Sequence, residues 1–356
     1  MPVAGLHSMV SAAARLVRQA GRRESTRDPA KKRWAVLVLV PVMMLLSAIS
    51  LVACSSGTPA NPLKLGYNLW VGDAGVFVAQ EKKLFPAAGV DVEMVRFAHP
   101  TESVQALVSG KVDVAIVTLA DAAMQQDSQT QDDPIKVFSI NDLSTGADGI
   151  VAAPGINSVK DLKGKKVAVT VGAVNHVLLN HALTKAGMTS RDVNVVDTPP
   201  EQAGSDLIAG KVDAAVSWEP FLTDAIAKGN TLIFSSADAP ELIADGLVTR
   251  ESILKNRKED LLKLVRGISS GVDYIAENKA DGTEIAAKTL GTTAADVSAM
   301  LKGVTLTTFD ESKRLMTTDV AQLKATIDLV SDVGVQFGLM KKPADADSLL
   351  DSSLFG

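Results

Sequence analysis

Cysteine is nearly missing: Cys54 is the only one in 356 residues. One thiol rules out an internal disulfide, a cysteine-ligated zinc and an iron–sulfur cluster together. Histidine is scarce too. There are four, with no pair at metal-ligand spacing, so neither a metal nor another cofactor is expected. No Gly-Lys-Ser or Gly-Lys-Thr phosphate loop occurs. Aromatic residues make up only 4%, which makes the three tryptophans informative. Trp34 falls in an N-terminal leader, leaving Trp70 and Trp218 for the folded part. No catalytic set emerges, and the chain is not expected to be an enzyme.

The first 53 residues read as a targeting segment. Eight Lys or Arg residues lie within 1–33, and the apolar run Trp34–Ala53 follows. A basic start, an apolar stretch and small residues at its end describe a secretion signal. Leu51-Val52-Ala53-Cys54 resembles the lipobox of bacterial lipoproteins. That resemblance implies a lipid on Cys54 and an exported protein anchored to a bacterial membrane. An uncleaved spanning helix is the alternative, since about 20 apolar residues suffice. Residues 54–61 read as a tether. Taking eight basic and two acidic leader residues from totals of 36 and 41 leaves 28 against 39, a net charge of −11. Such an acidic surface argues against nucleic acid as a partner.

What is present is a repeat. Leu107–Ile116 reads LVSGKVDVAI, and one hundred residues on Leu207–Val216 reads LIAGKVDAAV. Pro100 and Pro200 precede them at equal distance. Gly110 and Gly210 suit the left-handed position that closes a helix. The β-branched runs after them suit buried strands. Around this repeat, strand-like and helix-like segments alternate, which predicts α/β with mostly parallel strands. Ala147-Asp148-Gly149-Ile150-Val151 is echoed by Ala244-Asp245-Gly246-Leu247-Val248. These echoing strands are expected to be two crossings between lobes and to act as a hinge, with Asp148 and Asp245 in it. The expected division is lobe 1 over 62–150, lobe 2 over 151–245, and a mostly helical return to lobe 1 over 246–356. Apolar stripes at Glu259–Asn278 and Val320–Phe337 predict long amphipathic helices.

Several segments together resemble the solute-binding proteins of ABC importers for taurine, aliphatic sulfonates, nitrate and related small molecules. They are Leu65-Gly66-Tyr67-Asn68-Leu69-Trp70, AlaGlnGluLysLysLeuPhe at 79–85, Ala106–Asp113, SerValLysAspLeuLysGlyLysLysValAlaVal at 158–169, AsnHisValLeuLeu at 175–179 and ValSerTrpGluProPhe at 216–221. The resemblance implies a two-lobe periplasmic-binding-protein-like (type II) fold, with a ligand cleft between lobes and a two-strand hinge. It also implies a small-molecule ligand, an ABC permease and its ATPase subunit as partners, and a chain that works as a monomer. Two other readings stay open: an enzyme of this fold acting on a small heteroaromatic substrate, and a ligand-sensing subunit for a membrane receptor. Two enzyme groups on this architecture, a thiamine-pyrimidine synthase group and a cysteine-tethered pyrrole-building deaminase, need cysteines that this chain lacks.

Ligands bind at the carboxyl ends of strands in open α/β sheets. Trp70 and Trp218 each follow a predicted strand, one per lobe, and are expected to wall the cleft. Thr118 is a further expected contact. Gly172 joins a strand to a helix beginning near Asn175 and His176, where free N–H groups could hold an anion. The resemblance also places a His at position 176. Asp73, Asp121 and Glu219 follow cleft-facing strand ends, but each also suits a helix cap or first turn, the commoner role. If two of them point inward, an amine or zwitterion becomes the better ligand. No Lys or Arg lies within 70–80, 115–125 or 215–222, which disfavours an anion held by ion pairs.

Overall fold

The two copies of the repeat become equivalent strands in two separate sheets. The structure, a computed structural model, describes residues 61–128, 132–240 and 242–356; the leader, Cys54 and the tether up to residue 60 lie outside the described residues. In chain order the strands begin with β1 (Leu63–Tyr67), β2 (Val92–Arg96), β3 (Val114–Thr118) and β4 (Ile135–Ser144). Next come β5 (Asp148–Ala152), β6 (Lys166–Val169), β7 (Asn194–Asp197), β8 (Ala214–Trp218) and β9 (Thr231–Ser235). Last are β10 (Ala244–Arg250) and β11 (Val304–Leu306). One sheet has the order β11-β4-β10-β3-β1-β2 and the other β9-β5-β8-β6-β7.

With β11 set aside, the two orders coincide. Strands β1 to β4 match β6 to β9, and β10 matches β5. Each half has therefore given its fifth strand to the other. β5 follows β4 in the chain but pairs in the second sheet, and β10 follows β9 but pairs in the first. The registers preserve the match. β1 meets β3 at Leu65↔Val114, and β6 meets β8 at Val167↔Ala214, both parallel. The exchanged strands run antiparallel to the repeat strands, with Asp245 opposite Thr118 and Asp148 opposite Trp218.

This exchange corrects the expected crossings. The segments 148–151 and 244–248 lie within the sheets, because Asp148 and Asp245 already have ladder partners. The chain passes between lobes just before them, through 145–147 and 236–243. Ser236 ties the two passages together. Its Oγ lies 2.9 Å from Ser144 Oγ and accepts from Gly146 N at 2.7 Å.

The repeat strands owe their place to burial. All five residues of β3 and of β8 are buried, as their apolar β-branched and small side chains allow. Helices Pro100–Val108 and Pro200–Ile208 precede them, and Gly110 (φ 76°) and Gly210 (φ 68°) follow in the left-handed region. Lys258–Glu277 buries Leu261, Leu264, Val265, Ile268 and Ile275. Val320–Gln336 buries Leu323, Ile327 and Val330, whereas Val335 is 38% exposed near the helix end. The C-terminal tail docks through a backbone bond from Asp351 N to Val137 O of 2.9 Å.

One helix crossing governs the cleft side of lobe 1. Ala74–Glu81 follows directly on Trp70 and Asp73, and packs on Lys258–Glu277. A Cβ on Gly271 would sit 2.0 Å from Gly75 O. Helix propensity favours Ala over Gly by roughly 1 kcal/mol. The obstacle is backbone, however, so the helices must separate, at about 1–3 kcal/mol for overpacking. Gly271→Ala is therefore expected to destabilise the protein in urea unfolding. A net gain in stability would show that the crossing is loose.

Candidate functional site

Strand direction gathers the polar residues. β1, β3 and β4 end at one edge of their sheet, and β10, running oppositely, begins there. Asp245 therefore stands between Thr118 and Asp142 in register. In the other lobe Asp148 stands beside Trp218 in the same way. A cleft lies between these edges. Lobe 1 contributes Asn68, Trp70, Asp73, Pro100, Ile116–Thr118, Asp121, Ile243 and Asp245; lobe 2 contributes Asp148, Val174 and Trp218. The space is about 410 Å³ with its open mouth included, but only about 30 Å³ can be occupied by the centre of a water molecule. The lobes are thus drawn close together.

Three contacts hold them so. Trp218 Nε1 donates to Leu69 O at 2.8 Å. Val174 N, at the start of helix Val174–Lys185, donates to Asp121 Oδ1 at 3.0 Å. Arg96 Nη2 donates to both carboxylate oxygens of Glu201, at 2.7 and 2.8 Å.

The aspartates take several roles. Asp121 accepts from Thr118 Oγ1 at 2.7 Å, and Thr118 Oγ1 accepts from Asp121 N at 3.0 Å, a reciprocal cap of helix Leu119–Ser128. Asp73 occupies a cap position, yet its side chain caps nothing; Oδ1 accepts from Asn141 Nδ2 at 3.0 Å instead. Trp70 Nε1 lies 3.2 Å from both carboxylate oxygens of Asp142. Among the described residues no N–H or O–H reaches the side chain of Asp245; its carboxyl bonds the neighbouring Asp142, with Asp142 the acceptor.

The structure brings together Trp70, Asp73, Thr118, Asp121, Asp148, Trp218 and Asp245 from the sequence expectations. Four expected contacts fall elsewhere. Gly172 (φ 75°) lines an adjoining hollow with Asp121 and Leu339. Asn175 is wholly buried within its helix, and neither polar atom of its side chain finds a partner. His176 is also buried, off the cleft, with Nδ1 unpartnered. Glu219 accepts from Thr223 N at 3.0 Å and from Thr223 Oγ1 at 2.9 Å, the first-turn role. The anion site expected at the 174 helix start already holds an anion, the carboxylate of Asp121. Sequence reasoning missed Asn68, Asn141 and Asp142. Asn141-Asp142 ends the apolar run 135–140, and a polar pair at a strand's carboxyl end was the available signal. It also missed a Gly-X-Ser-X-Gly spacing at 267–271. That lies mid-helix, with Ser269 Oγ accepting from Phe309 N at 2.9 Å, and so is no nucleophile elbow.

The cleft is strongly acidic. None of its lining residues is Lys, Arg or His. Burial pushes Asp121 up to about 6, against the bonds from Thr118 and Val174. Burial likewise raises Asp142 and Asp148 to about 7. Asp73 and Asp245 rise well above the usual range, through burial first and the charge of Asp142 second. Burial holds His176 below its ordinary value, so the ring is neutral. Among the described residues no three His, Cys, Asp or Glu side chains are placed to hold a metal ion.

A carboxyl raised on folding binds a proton that the unfolded chain has released. Stability is then greatest below the unfolded value near 4 and falls as pH rises through the folded values of about 6 and 7. Surface carboxylates held low, such as Asp161 and Asp192, change below that window and do not offset it. The ligand-free protein is expected to be more stable at pH 5 than at pH 8, by on the order of 3 kcal/mol. Equal urea midpoints at the two pH values would show that the cleft carboxyls ionise freely.

Comparison with known proteins follows the same outline. The model of a family described as "NMT1/THI5 like" matches residues 71–281. A Brucella abortus protein described as a binding protein is 26% identical over 290 residues, 80% of this chain and 88% of that one. The taurine-binding periplasmic protein of Escherichia coli is 26% identical over 263 residues, 70% of this chain and 80% of its own. The alkanesulfonate-binding protein SsuA of Xanthomonas axonopodis, solved with MOPS, superposes with a TM-score of 0.70 at 18% identity, covering 83% of this chain and 99% of its own. The desulfurization enzyme DSZB has the same fold, at a TM-score of 0.59 and 15% identity, covering 82% of this chain and 97% of that one. With the match spanning more than half of its length, the chain belongs to the NMT1/THI5-like family.

Proposed function

We propose that this protein is the solute-binding subunit of an ABC importer. It captures a small polar organic molecule between its lobes and hands it to a membrane permease driven by an ATPase inside the cell. One observation carries this reading: a polar cleft between two topologically equivalent lobes, closed by bonds that a lobe rotation would break. Relatives named for taurine and sulfonate binding support it. The passages 145–147 and 236–243 serve as the hinge, with Asp148 and Asp245 at its cleft side. Trp70, Asp73, Thr118, Asp121 and Trp218 are the proposed ligand contacts. The lipid expected on Cys54 anchors an exported monomer. No helix among the described residues is long and apolar enough to cross a membrane.

Closure needs no chemistry. A ligand shuts the lobes only by binding the closed form better than the open one. Trp218 acts there, because its indole N–H reaches Leu69 O of the other lobe and that bond exists only when the lobes meet. The neighbour DSZB favours a second reading, an enzyme on the same frame. The two part on the fate of the ligand.

Incubation of the purified protein with taurine, alkyl sulfonates, nitrate, pyrimidines and guanidine-like amines is expected to yield one compound that binds and is recovered unchanged after denaturation. Recovery of a converted product would establish the enzyme instead. Trp218→Phe keeps the aromatic bulk but loses the interlobe bond. It is expected to weaken binding by about 1 kcal/mol, roughly fivefold, in calorimetric titration. Unchanged affinity would remove Trp218 from the closure mechanism.

A further inference from the structure

The cleft's acceptors and donors are unequally engaged, and the imbalance bears on the ligand. The neutral donor side chains of the wall already have acceptors within the protein. Asn68 Nδ2 donates to Phe97 O at 2.8 Å, Trp70 to Asp142, Thr118 to Asp121 and Trp218 to Leu69 O. Even the helix start at Val174 is committed, to Asp121. The acceptors are in surplus. Asp245 lines the cavity, is only 8% exposed, and among the described residues accepts from no N–H or O–H; its one side-chain bond is the proton it shares toward Asp142. Asp73 engages one oxygen only, and no basic side chain lines the wall.

An anion entering here would meet buried carboxyls with no counter-charge, while the side-chain donors it needs are spent. A cation bearing N–H groups meets the opposite situation. It supplies donors to Asp245 and its neighbours, and the indoles of Trp70 and Trp218 offer faces for a cation. Among the described residues no three carboxyls are placed together to hold a bare metal ion. The narrow gap also sets size, favouring a compact molecule.

We propose that the cleft ligand is a small organic cation carrying N–H donors, a protonated amine, amidine or guanidine, held by Asp245 and Asp148 from opposite lobes. This rests on the solute-binding reading and narrows it to a charge class opposite to that of sulfonates. It has a linked consequence. The groups facing Asp245 are Asp73, Asp121, Asp142 and Asp148, all acids. They share protons when the cleft is empty, so an arriving cation displaces protons, and binding tightens as pH rises.

Calorimetric titration of the purified protein tests this with methylguanidinium, ethylammonium, tetramethylammonium, ethanesulfonate and nitrate. Methylguanidinium or ethylammonium is expected to bind, tenfold or more tightly at pH 8 than at pH 5, with protons released to the buffer. Tetramethylammonium, equal in charge but lacking N–H groups, should bind at least tenfold more weakly. Asp245→Asn should weaken methylguanidinium binding at least tenfold while raising the melting temperature at pH 8, since a strained buried charge is gone. Asp148→Asn provides the same measurement from the other lobe, should the first variant fold poorly. Binding of ethanesulfonate or nitrate with the cations silent would overturn the cation assignment and leave the solute-binding reading standing. Unchanged affinity in both variants, or silence of every cation, overturns it as well. The solute-binding reading fails separately, on recovery of a chemically altered compound.

Discussion

Antiparallel pairing of the exchanged strands is the constraint on which the site depends. A parallel strand would bring its carboxyl end to the cleft edge and leave its first residues at the far side. β5 and β10 run the other way, so an Asp-Gly pair at their starts lands beside the ends of β8 and β3. The glycines make this pairing close. A Cβ on Gly149 would come within 2.8 Å of Phe234 O, and one on Gly246 within 2.9 Å of Val137 Cγ1. The same exchange connects the lobes twice, so the residues at the hinge and those that meet the ligand are near neighbours in the chain. Ser236 and Ser144 on the passages lie within ten residues of Asp245 and Asp148. Rotation about the passages must therefore move the two carboxyls relative to each other.

A cluster of buried carboxyls is costly when ionised and tolerable when protonated. The values near 6 and 7 for Asp121, Asp142 and Asp148 place the change at ordinary pH. An empty cleft is thus neither fully charged nor fully neutral. Asp121 has a donor on each oxygen, Val174 N on Oδ1 and Thr118 Oγ1 on Oδ2. It closes lobe on lobe by placing a carboxylate at the positive end of a helix. Asp245 has no such compensation, so its oxygens are freer to meet a ligand than those of Asp121.

Much of this was legible in the sequence. The repeat placed β3 and β8, the tryptophans marked both rims, and the Asp-Gly echo pointed to equivalent strands. Three things were not legible. Strand exchange depends on which sheet a strand joins, and local pattern is identical either way, so the echo was read as crossings. Asp142 escaped because β4 extends four residues past its apolar run, held by pairing with β10 and β11 rather than by propensity. The fate of the 174 helix start depends on a carboxylate more than fifty residues away in the other lobe, a contact only the closed fold creates. Asn175 and His176 looked exposed to the cleft for the same reason. They follow a strand end, but the helix turns them into the lobe.

Kinship and chemistry then diverge in a way the fold permits. SsuA shares the architecture across 83% of this chain, and its ligand MOPS carries a sulfonate. A two-lobe frame fixes where strand ends meet but not which side chains stand on them. A helix start facing a cleft is a positive site that something negative can occupy. A ligand anion can do so where the wall supplies donors; here Asp121 does so first. Once that carboxylate is in place, each further acid on the rim makes an anionic ligand less favourable and a cationic one more so. The position of Asp121, three residues beyond the repeat strand, is thus the point at which a common frame is turned toward ligands of the opposite charge.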